Sequence, residues 1–179
     1  MTSSGGPRAE LAPSELRYLV LAAQREGNRA VADALAPVGL TPSQAEVVGV
    51  LDDSGPLTLK ALGELIVCET GSPSRIVDAL VRRGLVARET SPDDRRAVVL
   101  SLTDDGRSLV PHVRAVDAGM DDVQGRTSGD DLAGLVAVLR GFLAGSASAE
   151  VLDRRFGPDR AVVGAAPSSD RAVSSAPTG

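Results

Sequence analysis

The feature that most restricts this chain is the order of local signals between Leu57 and Leu102. Thr58 is a residue that caps helices, and Leu59, Leu62, Leu65 and Ile66 follow it at helical spacing, which predicts a helix over Leu59–Val67. Cys68, Glu69, Thr70 and Gly71 make a short connection. Ser72 then supplies an N-cap and Pro73 a first helical position at which no N–H is needed. In this second helix Ile76, Val77, Leu80 and Val81 share one face, and at about 100° per residue Arg75, Asp78 and Arg82 fall on the other. A basic last turn at Arg83 and a terminal Gly84 end it. Leu85–Thr90 and Ala97–Leu102 read as two strands joined by the turn formers Ser91, Pro92, Asp93 and Asp94, with Arg95 and Arg96 at the tip. Helix, short turn, helix and hairpin in that order is a winged helix-turn-helix.

Such a motif docks the N-terminal residues of its second helix against base edges in a major groove. Ser72, Pro73, Ser74 and Arg75 occupy those positions. The free N–H groups and the positive end of the helix dipole favour a nearby phosphate. Arg75 is the candidate for direct readout, because a planar guanidinium bonds guanine O6 and N7 together. Arg82, two turns further on, is placed for a phosphate contact. Arg95 and Arg96 would enter a narrow minor groove, where the potential is most negative. Asp94 is read as stabilising the wing by pairing with an arginine.

The flanking segments read as scaffold. Residues 1–12 read as a disordered N-terminal tail, and Pro13–Ala36 reads as a helix with Leu16, Leu19, Val20, Ala23, Ala30, Val31, Ala34 and Leu35 on its inner stripe. Gly27 and Asn28 would bend or weaken it. Thr41, Pro42 and Gln44 open the next helix with a capping box, and Val47, Val48 and Leu51 face inward. After the wing, Thr103 caps a long helix with Asp104 and Asp105 in its first turn, and the interior Pro111 predicts a bend near residues 107–111. Asp130–Ala144 forms a last helix, with Leu132, Leu135, Val136, Leu139, Phe142 and Leu143 on its apolar face. The fold class is therefore mainly α with a small β-wing: a helix-turn-helix lobe at 40–102 flanked by dimerisation helices at 13–39 and 103–144. Residues 145–179 turn rich in Ala, Gly, Ser and Pro and read as a mostly flexible tail, in which 151–156 could briefly extend or follow the last helix.

Composition narrows the function. Aromatic residues are 2% of the 179, so the core is built from Leu, Val and Ala and gains from a subunit interface. There is no apolar run of the roughly 18 residues a membrane span needs, and MTSSGGPRAE lacks the apolar region of a secretory leader, so a cytoplasmic protein is expected. The formal charge is −5, yet residues 60–96 hold seven basic residues against six acidic ones, +1, leaving −6 for the remainder. Weak binding to random DNA with a strong salt dependence follows. Cys68 and His112 are the single cysteine and histidine, and neither stands at metal-ligand or nucleophile spacing, so no catalytic site, metal or cofactor is expected. Cys68 reads as a small apolar residue at the helix-turn-helix corner, and the adjacent Glu69 opposes thiolate formation.

The stretch GSPSRIVDALVRRGLVARETSPDDRRAVVLSLTDDG resembles the recognition helix, wing and following helix of the MarR family of bacterial regulators, and LTPSQAEVVGVL resembles the helix before them. The family's wing D-x-R is met by Asp94, Arg95 and Arg96, and the likeness runs over roughly residues 14–144. It implies a homodimer on a palindromic double-stranded DNA operator, commonly as a repressor of neighbouring or its own genes. It also implies release by a small anionic or phenolic effector bound between the dimerisation helices and the DNA-binding lobe. Tyr18, Arg25, Arg29 and His112 are polar groups on the helices that would flank such a pocket, without a role assigned to any. The oxidation-sensing branch of the family carries its reactive cysteine in the first helix, where this chain has none. Two alternatives stay open: a ligand-independent regulator or activator, and a winged-helix module that binds protein.

Overall fold

A computed structural model of the chain describes residues 13–67, 72–90, 97–124 and 129–157. Helix α1 spans Pro13–Leu35 and passes without a break through Gly27 and Asn28. A 3-10 turn, Ala36–Val38, leads through the left-handed Gly39 to α2, Pro42–Ser54. The capping box predicted at its start is formed: Gln44 N–H donates to Thr41 Oγ1 at 3.3 Å and Thr41 N–H donates to Gln44 Oε1 at 3.1 Å. Val47, Val48 and Leu51 are buried along α2, together with Ala45 and Val50.

The helix-turn-helix follows with two departures from the sequence expectation. Leu57–Thr58 form a short strand, β1, and α3 covers only Leu59–Gly63. Two residues are too few for alternation to announce a strand, and Thr58 both ends it and caps α3 by accepting from Ala61 N–H at 3.2 Å. Past Gly63 the chain tightens. Glu64 N–H reaches the carbonyls of both Lys60 and Ala61, and Leu65 N–H that of Leu62. That shift to i→i+3 bonds is how a helix unwinds at its end.

Helix α4 is Pro73–Arg82, with Gly84 at φ +70° just beyond it. The wing consists of β2, Val86–Thr90, and β3, Val98–Leu102, paired antiparallel from Val86 opposite Leu102 to Thr90 opposite Val98. β1 adds to the far edge of β3, giving the order β1-β3-β2. The core lies where α2, α3, α4 and this sheet meet. Leu62, Val77, Leu80, Val86 and Leu100 are buried there beside Leu35, Val47 and Val48, each worth about 1.5–3 kcal/mol of burial.

Helix α5, Asp104–Gln124, begins with the predicted cap, Gly106 N–H donating to Thr103 Oγ1 at 3.0 Å, and continues through Pro111 as one helix. Two of its side chains tie it to the helices before it. His112 Nε2–H donates to the Ala34 carbonyl at 2.9 Å. Arg114 binds Asp52 at 2.7 Å and also Asp53, at the C-terminal end of α2. Hydrogen bonds donated to Asp52 and Asp53 hold the Arg114 guanidinium above its ordinary pKa.

Helix α6, Gly129–Leu143, matches the predicted last helix, but it is not the last. A seventh helix, α7, Ala147–Phe156, stands where the tail was expected to begin. Gly145 turns the chain at φ +78° and Ser146 caps α7 by accepting from Ala149 N–H at 3.2 Å. The tail composition obscured both signals. The predicted inner stripes of α1 and α6 remain largely uncovered in the single chain: Leu19 is 58% exposed, Leu135 50% and Phe142 69%. Among the described residues no helix is long and apolar enough to cross a membrane.

Candidate nucleic-acid interface

Helix α4 is held by its apolar face. Ile76, Val77 and Leu80 are buried and Val81 half-buried, which leaves Arg75 and Arg82 exposed on one stripe. They are seven residues apart, close to two full turns, so the two guanidinium groups line up along the outer face. Between them lies Asp78, whose carboxylate accepts from Arg88 of β2 at 2.6 Å. That bridge is well exposed, 44% and 42% for the two side chains, so it adds little stability. Its effect is electrostatic. It pairs the one acidic group on the stripe and leaves Arg75 and Arg82 as the net charge there.

The N-terminal end of α4 corrects one expectation. Ser72 stands at the N-cap position, but its side chain makes no cap hydrogen bond. Its hydroxyl is instead 2.7 Å from that of Ser74, and its carbonyl accepts from Arg75 N–H at 2.8 Å. Capping is thus left to the backbone, and both hydroxyls sit at the helix end where a phosphate is favoured. Pro73 is half-buried and packs toward Gly63 of α3, where an added Cβ would lie 3.6 Å from its ring. Its packing is directed inward, toward α3.

Arg83 has a role that sequence reasoning missed. Its Nη1 donates to the Gly39 carbonyl at 2.8 Å and to Gln44 Oε1 at 3.4 Å, and its Nη2 donates to the Val38 carbonyl at 3.2 Å. The last turn of α4 is thereby stapled to the junction before α2. Nothing near Arg83 in sequence could reveal partners some forty positions away.

On the other side of that end, Thr103 Oγ1 donates to the Gly84 carbonyl at 2.6 Å, so one threonine joins the end of α4 to the start of α5. Gly106 permits this contact, since a Cβ there would fall 2.0 Å from the Leu85 carbonyl oxygen. Asp94, Arg95 and Arg96 lie outside the described residues, as does Cys68; the described β2–β3 ladder ends at Thr90 opposite Val98.

A cleft of about 1090 Å³ opens beside α4, bounded by Gln24 and Asn28 of α1, Gln44 of α2, Arg75 and Ala79 of α4, and Leu152 of α7. Arg75 therefore borders both the outer face and this cleft. Tyr18, Arg25, Arg29 and His112 do not line it.

Comparison with known proteins bears on the same lobe. The sequence model of the MarR family matches residues 40–98, from just before α2 to the first residue of β3. The organic hydroperoxide resistance transcriptional regulator of Bacillus subtilis (strain 168) is 30% identical over 127 residues, covering 70% of this chain and 85% of that protein. An uncharacterized HTH-type transcriptional regulator of the same organism, YcgE, is 41% identical over 73 residues, but this chain spans only 46% of its length and the match covers 41% of the chain. Among solved structures, the transcriptional repressor CouR bound to a 23-mer DNA duplex superposes with a TM-score of 0.60 at 28% identity, over 75% of this chain and 99% of that one.

Proposed function

The chain belongs to the MarR family, and on that basis we propose that it acts as a homodimeric repressor of neighbouring or its own genes, released from a palindromic operator by a small anionic or phenolic effector. It is a DNA-binding transcriptional regulator, and its relatives are regulators and not enzymes. One observation carries the reading at residue level. Arg75 and Arg82 share an exposed stripe on a helix whose other face is locked into the core, with the intervening Asp78 paired to Arg88. In this reading Ser72, Ser74 and Arg75 meet the major groove, Arg82 meets phosphate, and Arg95 and Arg96 reach the minor groove from a wing stiffened by Asp94. Pro73 serves by setting the helix start.

The uncovered apolar faces of α1 and α6 support the dimer, because a second copy would bury them and set two recognition helices about one helical turn apart. The effector site is the cleft bordered by Arg75, whose cation suits an anion. Occupancy would act by differential affinity for the two lobe spacings. A cytoplasmic location belongs to the same proposal. Hydroperoxide sensing is not carried over from the relative named for it, since α1 contains no cysteine.

Fluorescence-anisotropy titration of DNA flanking the protein's own gene, at two salt concentrations, tests the reading with wild type, Arg75→Ala and Arg96→Ala. Saturable binding of two subunits per site, weakened by salt and by both substitutions, is the expected result. No binding of wild type to any flanking fragment would favour the protein-interaction module, and retained binding in both variants would remove Arg75 and Arg96 from the interface.

A further inference from the structure

Glu46 sits at a junction that DNA contact does not use. Its Oε1 accepts from Val67 N–H at 2.8 Å and, at 3.0 Å, from Arg155 Nη1. Val67 belongs to the stretch after α3 that leads into the helix-turn-helix connection. Arg155 belongs to the last turn of α7. One carboxylate oxygen therefore joins α2, the approach to the turn and the C-terminal helix. The Arg155–Glu46 pair is the most enclosed ion pair among the described residues, with side chains 25% and 18% exposed. A pair that is partly withdrawn from water is screened less than a surface pair.

Helix α7 cannot stand without such contacts. It has ten residues and none of them is buried, whereas an isolated helix needs about 12–15 residues to be even marginally stable in water. Its order rests on the Ser146 cap, on Arg140–Asp153 at 2.6 Å, on Leu152 against the cleft, and on Arg155. Docking of α7 and fixing of the Val67 amide are thus linked through Glu46. Only Ala144–Ser146 separate α7 from α6, the arm with the exposed apolar face.

We propose that α7 is a brace that ties Val67, at the approach to the helix-turn-helix connection, to the dimerisation arm, with Arg155 and Glu46 as positioning residues for the recognition helix. The proposal rests on the DNA-binding reading only for its consequence, which is a fixed distance between the two recognition helices of a dimer. The docking itself is independent of DNA.

The test uses the full chain with Arg155→Gln, Arg155→Lys and Ser146→Ala, the last weakening α7 without touching Glu46. Amide hydrogen exchange at Val67, without DNA, is expected to quicken about tenfold in Arg155→Gln and about threefold in Ser146→Ala, with Arg155→Lys near wild type. With operators whose half-sites are moved apart by one base pair, wild type should lose affinity steeply and Arg155→Gln much less. A general loss of stability would not flatten that dependence. Unchanged Val67 exchange in Arg155→Gln overturns the brace. So does a change in Arg155→Gln with none in Ser146→Ala, which would reduce the contact to a local ion pair. Failure of wild type to bind any operator would instead count against the regulator reading and leave the exchange result to decide the brace.

Discussion

Asp78 of α4 and Arg88 of β2 meet at 2.6 Å across the groove between the recognition helix and the wing. Because the pair is exposed, its worth lies in the charge left on the stripe proposed to face DNA. Arg88→Met would leave Asp78 unpaired between Arg75 and Arg82, and operator affinity should fall by about three- to tenfold. Adding Asp78→Asn should restore most of it. Anisotropy titrations of both single variants and the double variant measure the coupling; additive losses would refute a shared role.

Arg75 and Arg82 should fail differently. Arg75→Ala should cost about 1–3 kcal/mol on the preferred operator and relax discrimination at one base position. Arg82→Ala should weaken all sequences alike and lower the salt slope by about one. A panel of singly substituted operators at several salt concentrations separates the two.

Gly106→Ala tests the joint between the DNA-binding lobe and α5. The added methyl would meet the Leu85 carbonyl oxygen at 2.0 Å, so backbone must move, at a cost of about 1–3 kcal/mol. At fixed protein concentration the melting temperature should drop by several degrees, on the order of 2–4 °C per kcal/mol for a chain of this size. An unchanged melting curve would mean that α5 does not press on Leu85 in solution.

The apolar faces of α1 and α6 predict a further result. Leu19→Glu combined with Phe142→Asp places charge on two exposed apolar sites. Sedimentation velocity should show a shift from dimer toward monomer, and operator binding should weaken with it. A variant that remains fully dimeric would require an interface elsewhere.

The DNA-binding lobe was legible because its signals are local. Thr58, Pro73 and Gly84 mark helix ends through backbone rules that act within one turn, and Ile76, Val77 and Leu80 declare a buried face by spacing alone. The same rules read the box at Thr41 and Gln44 and the cap at Thr103. They misread Ser72, whose hydroxyl found Ser74, because a side chain with two good partners chooses by local geometry. They overlooked β1, whose two residues become a strand only when β3 lies beside them.

Sequence by itself determined most of the helices and the two wing strands, which face of α4 is apolar and which arginines stand opposite it, since these depend on periodicity and on neighbours within four residues. Tertiary structure decided what the charged residues do. Arg83 on Gly39, Arg88 on Asp78, Arg114 on Asp52 and Arg155 on Glu46 join residues 10 to 109 positions apart. A guanidinium carries the same charge whether it meets a phosphate, a carbonyl or a carboxylate. Only the folded chain, by bringing distant partners within about 3 Å, settles which of these it meets.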